Sequence, residues 1–336
     1  MSTMVRTAVC AAASVCMGYD CMLSVKKHSR ALTEMIVLNN GRTFYGLDER
    51  TFASVSEFSI NTFPGGFFSA HGRLYISDDG ARAGMFGCRV AVFGDDLKLI
   101  GHIATRALPT SPAEYDGKVF VGSAQMSRDG RFSLEVFDVN GNRLKSWYDL
   151  ETMIEPGKGT YARGRLYCPV KFADAKRTNH ILAIDTSTLE RTDLYQYDRR
   201  YPAEPFGISI HDGRMIVVYF RMHEIEIIDM GTGASAVLFP ARYASLPADR
   251  NGIVAVNAAV HDGELNCFLH YYLRDGHFQK IVTFDAGTHA YLRTIDLDAR
   301  HGLNYTALRA VAGNKVLFGD GSIFNRYSGA IIGKVF

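Results

Sequence analysis

The stretch from Phe206 to Phe239, FGISIHDGRMIVVYFRMHEIEIIDMGTGASAVLF, holds four short apolar runs separated by tight polar turns. His211-Asp212-Gly213 closes the first turn and Asp229-Met230-Gly231-Thr232-Gly233 the third. Turns this short join antiparallel neighbours, so the unit reads as a four-stranded meander. One such sheet buries too little surface to stand alone. Copies must therefore stack and share a core.

Two anchors recur along the chain. The first is the glycine between strands one and two, at Gly72, Gly117, Gly164, Gly213, Gly263 and Gly313, in steps of 45 to 50 residues. The second ends strand three with a polar turn residue: Leu47-Asp48, Gly94-Asp95, Phe137-Asp138, Ile184-Asp185, Ile228-Asp229, Phe284-Asp285 and Tyr327-Ser328. An aspartate there bonds back onto its own turn, which explains its recurrence without catalysis. Seven anchors predict seven sheets, and a closed array of them is a β-propeller.

The expected fold is thus all-β, with four-stranded antiparallel blades at 21–60, 63–103, 111–148, 156–195, 205–239, 247–297 and 304–336. The innermost strand of the first blade falls near His28-Ser29-Arg30. A six-bladed ring, with the amino-terminal strands completing the last sheet, is the competing count. Pro64, Pro112, Pro156, Pro205 and Pro247 are placed in the crossovers before inner strands, because proline lacks the donor that a ladder needs.

The pairing of D-G-R-M-I-V-V with E-I-E-I-I-D-M-G-T-G, echoed in N-H-I-L-A-I-D-T-S-T, resembles the YVTN and NHL-like β-propellers, whose third strand ends in an I-D-x-x-T turn. That resemblance covers nearly the whole chain and is structural. The superfamily includes binding platforms as well as lyases, hydrolases and redox enzymes, and no catalytic set carries over.

Composition narrows the functional classes. Lys plus Arg at 37 against Asp plus Glu at 35 is too balanced for a polybasic nucleic-acid binder. No apolar run approaches the ~18 residues of a membrane-spanning helix. A single tryptophan, Trp147, argues against a Trp-Asp type of repeat. Residues 1–20 form a separate segment, read as a secretory signal, an extra edge strand or a tail; residues 21–336 form one domain. Cys10, Cys16 and Cys21 lie in or beside the segment, and Cys88, Cys168 and Cys267 in or beside strands. No CxxC pair occurs, so neither a zinc knuckle nor a disulfide framework is expected, and a reducing, cytoplasmic compartment is preferred.

Function is expected on the face formed by the crossovers and the loops joining strands two and three, since several blades converge there. His71, His211 and His261 occupy equivalent turns on the opposite face and read as turn residues. On the crossover face, Arg177, Arg199, Arg200, Tyr201, Arg221, Tyr271 and Arg274 suit a protein partner or a small anionic ligand through forked hydrogen bonds and aromatic contact. The long connections 170–180 and 270–277 enlarge that face in blades four and six. His223, His270 and His301 are the candidates for a catalytic base in the alternative reading, a propeller lyase or hydrolase. No spacing typical of a metal or cofactor site is present: Asp138-Val-Asn140-Gly141-Asn142 lacks the twelfth-position glutamate of a calcium loop and reads as a turn. The favoured function is a non-catalytic binding or scaffold protein without a cofactor.

Overall fold

In the computed structural model the described residues are 35–40, 42–60, 64–78, 88–123, 132–150, 152–172, 180–196, 204–220, 224–245, 253–273, 276–297, 308–318 and 321–335. They form a seven-bladed β-propeller, with blades at 35–59, 64–104, 113–150, 152–196, 204–238, 253–296 and 308–334. Every pairing within a blade is antiparallel, as consecutive meander strands require. No helix among the described residues is long and apolar enough to cross a membrane.

Period-two alternation turns each strand into a two-sided adhesive. In the strand Lys118–Gly122, Val119 and Val121 pack against blade two with Tyr75, Val90 and Ile103. Phe120, between them, packs against blade four with Leu166 and Cys168. Both faces of the sheet are buried, which is why such strands read as continuous apolar runs. The same division repeats around the ring. Blades one and two share Phe44, Phe58, Leu74 and Phe93. Tyr167 and Ile181 meet Val217 and Tyr219 between four and five; Ile216 and Ile227 meet Leu265 and Phe284 between five and six; Phe268 and Ile281 meet Phe318 and Phe324 between six and seven.

The seventh cluster decides the blade count. Leu47 and Phe52 of the first blade pack on Leu317 and Ile323 of the last. Met35–Asn40, Thr43–Asp48 and Ser54–Ser59 pair with one another and not with the final sheet. The six-bladed alternative is therefore excluded: ring closure is face-to-face packing of two whole sheets. The inner strand expected near His28-Ser29-Arg30 lies outside the described residues, as does the segment 1–20.

Three expectations need correction. Blade four begins at Thr152, and Pro156 sits inside its inner strand, split into Thr152–Ile154 and Thr160–Ala162 around a 3-10 turn at Pro156–Lys158. Pro64 and Pro205 likewise lie within Pro64–Ala70 and Glu204–His211, at register shifts between Pro64 and Gly66 and between Pro205 and Gly207. An inner strand has a neighbour on one side only, so a missing donor on the other breaks no ladder. In the last blade, strand three ends at Asn325, not Tyr327, because Asn325 takes the carboxylate's acceptor role toward the backbone N–H groups of Tyr327 and Ser328.

Candidate functional site

The face carrying the anchor turns is well described, and its polar residues are bound to one another. In the first five glycine turns, His71, Asp116, Arg163, Asp212 and Asp262 have φ of 47° to 52°, and the following glycines have φ of 67° to 76°. Two successive positive φ values match the right-handed twist of a two-residue hairpin, and the second position favours glycine. The outer turns are held differently. Asp229 Oδ1 accepts from the N–H groups of Gly231 and Thr232 and from the Thr232 hydroxyl at 2.8 to 3.0 Å. Asp285 repeats this with Gly287 and Thr288, and Asp48 with Arg50 and Thr51. These bonds favour the ionised form and hold Asp138, Asp229 and Asp285 below the usual carboxylate range; Asp185, bonded foremost by the Ser187 hydroxyl, falls to about 2. Asp138, the calcium-like candidate, is likewise occupied by Asn140 and Asn142.

Side chains beside the glycine turns clasp the next blade. Arg73 donates to Val139 O at 2.9 Å, Arg214 to Ala286 O and Gly287 O at 2.9 Å, and Lys315 to Thr51 O at 3.2 Å. At blade six the basic residue is replaced by Glu264. The charge is returned from two sides: Arg293 grips both oxygens of Glu264, and Arg326 of blade seven lies 3.4 Å from Glu264 and 3.3 Å from Asp262. Arg326 is only 2% exposed. This swap was legible as D-G-E among turns otherwise followed by Arg or Lys, yet the sequence reading passed over it.

The three turn histidines differ in their partners. His71 Nδ1 lies 3.0 Å from the buried Glu114, which also accepts from the Tyr75 hydroxyl at 2.6 Å. Burial, and then that carboxylate, push the Tyr75 phenol upward. His211 lies beside Asp212. His261 Nε2 accepts from Gly313 N–H at 3.1 Å and stands 3.1 Å from Asp262. His261 also borders a cleft of about 600 Å³ where blades six, seven and one meet, lined by Ile36, Glu49, Arg50 and residues 311–315.

Of the residues predicted for the crossover face, Arg177, Arg199, Arg200, Tyr201, Arg221, Arg274, His223 and His301 lie outside the described residues. His270 and Tyr271 are placed by backbone alone. They occupy successive positions of the strand Glu264–Leu273, opposite Gln279 and Phe278. The expected loop 270–277 is mostly strand: Tyr272 pairs with His277 and Leu273 with Gly276. Gln279 is 2% exposed, and its amide has no hydrogen-bond partner among the described residues. Among the described residues no cluster of His, Cys, Asp or Glu has the arrangement of a metal site, and Cys168 and Cys267 are buried thiols outside any disulfide. Burial pushes the Cys168 and Cys267 thiols well above their ordinary range, as suits packing residues.

Seven stacked meanders closed face to face define the class: a seven-bladed β-propeller. Neither a family model nor a curated protein sequence matches the chain. Solved structures share its architecture. BamB from Moraxella catarrhalis aligns at 14% identity over 93% of this chain and 89% of its own, with a TM-score of 0.52. Hsv2 from Kluyveromyces lactis aligns at 8% over 90% and 94%, with a TM-score of 0.58. A europium-containing methanol dehydrogenase aligns at 12% over 93% and 80%, also at 0.58. At such identities the likeness is one of fold.

Proposed function

We propose that this ring is a non-catalytic binding platform of the YVTN and NHL-like kind, taking a protein partner or an anionic ligand on the crossover face of blades four to six. The observation that carries the reading is the hairpin of blade six. Its strands Glu264–Leu273 and Gly276–Asp285 are ten residues each. Among the described residues, equivalent second and third strands elsewhere run four to eight. All these hairpins start from the same turn face, so the additional residues rise on the other side, by roughly 7 to 20 Å at ~3.3 Å per residue.

A paired hairpin is stiffer than a loop and loses less entropy on binding. Its far end carries Tyr271 and Tyr272, and Arg274 follows two residues later in the sequence; these residue types dominate interface energetics. Arg177, Arg199, Arg200, Tyr201 and Arg221 belong to the connections of blades four and five. Guanidinium groups from those connections suit carboxylates or phosphates on the partner.

Quantitative affinity enrichment from the source cells tests this. The intact protein would be compared with a Tyr271→Ala/Arg274→Ala variant, an Arg199→Ala/Arg200→Ala/Tyr201→Ala variant and an Arg163→Ala control on the turn face. Loss of the same partner from the first two, but not from the control, is expected. Equal recovery by all four would remove the site from this face.

A further inference from the structure

The cleft at the ring closure stands apart from the crossover face, and its chemistry is of another kind. Ile36, Val311 and Ala312 supply apolar surface, while Arg50, Lys315 and His261 bring basic groups to it. We infer that this cleft is a binding site for an oxyanion carried on a short apolar body, a carboxylate foremost.

The basic groups differ from their counterparts around the ring. Arg73, Arg143, Arg214, Arg293 and Arg326 are each bonded to a neighbouring carbonyl or carboxylate. Arg50 makes no such side-chain bond among the described residues, and only Glu49 opposes it in the lining. Lys315 spends one of its three donors on Thr51 O. Two cations against one carboxylate leave the lining positive with His261 neutral.

His261 adds a proton-dependent element. Its Nε2 accepts from Gly313 N–H, so that nitrogen carries no proton while the bond exists. Protonation ends the acceptance, turns Nε2–H toward Asp262 Oδ2, and releases the Gly313 N–H, which belongs to the cleft lining. The site thereby gains a charge and a backbone donor together. Facing His261 are Asp262 and Glu264, themselves held by Arg326 and Arg293, with Glu49, Arg50 and Lys315 across the cleft. With His261 protonated, the site therefore binds an ionised anion more strongly than with His261 neutral.

Calorimetric titration of the full chain with hexanoate and with sulfate, at about pH 8 and about pH 5.5 and fixed ionic strength, tests the assignment. Hexanoate is expected to bind more tightly than sulfate, because only it uses the apolar surface. Arg50→Gln, a side chain with no structural bond to lose, is expected to weaken both by roughly tenfold. His261→Asn should abolish the pH dependence of binding. Failure of both probes to bind, or affinities unchanged in Arg50→Gln and Lys315→Met, would overturn the proposal. Thermal midpoints of each variant separate lost binding from lost folding.

Discussion

One carboxylate oxygen organises each of the outer turns at Asp48, Asp185, Asp229 and Asp285, accepting two backbone N–H groups and a hydroxyl. Because these donors favour the charged form, the folded pKa of Asp185, Asp229 and Asp285 lies below the ordinary 3.8. The stabilisation is then complete above about pH 4 and is lost as pH falls through the depressed values, down to about 2 for Asp185. An Asp229→Asn/Asp285→Asn variant should melt below the parent at pH 7, and the gap should narrow toward pH 2. Circular dichroism melts across that range check it; a gap independent of pH would mean that charge is not the agent. This role was legible in D-x-x-T because every partner lies within three residues. The His261–Gly313 bond was not, since its partners stand 52 residues apart in different blades.

Blade-to-blade clasps show how elements tolerate exchange. The ladder requires only that a donor beside one glycine turn meet an acceptor on the next blade, and at blade six donor and acceptor have traded places. Glu264→Gln would leave Arg326, almost fully buried, and Arg293 without their counter-charge. A loss of roughly 2 to 4 kcal/mol is expected, below the upper range for buried pairs because Glu264 is partly exposed. Chemical denaturation of Glu264→Gln and of Glu264→Gln/Arg326→Gln would show the double variant recovering part of that loss. A single-variant loss under about 0.5 kcal/mol would make the network decorative. The blade-six hairpin teaches a related point about legibility. Its polar and aromatic letters, H-Y-Y-L-R-D-G-H, read as a loop, but Tyr and His pair readily in a ladder when the partner strand is of matching length. Strand length is a property of two segments together, which a scan along one cannot see. Pro205 misled for the complementary reason: its exclusion from ladders does not extend to the open side of an inner strand.

For the whole molecule, the period announced seven blades, and the ring has seven. What the repeats could not specify was closure, which depends on the angle accumulated over all the interfaces. The last interface has Leu47, Phe52, Leu317 and Ile323 as its buried cluster, without a strand shared between the chain's two ends. It is therefore the natural place for the ring to open. Leu317→Ala should cost about 2 to 5 kcal/mol, as should Leu166→Ala at an internal interface, since both side chains are fully buried. Their hydrogen-exchange signatures should differ: the first loosening blades one and seven ahead of global unfolding, the second exposing no end blade selectively. Identical exchange maps for the two would refute the weak-seam picture.

That seam also orders events in time. Thr51 and Lys315, whose clasp spans it, are separated by 264 residues. At roughly 5 to 20 residues per second, a ribosome takes on the order of 13 to 50 seconds to travel between them. Throughout that interval the face bearing Leu47 and Phe52 has been made and its cover has not. The first blade of the growing chain is thus a sticky surface awaiting the last, available meanwhile to a chaperone or to the seventh blade of another copy.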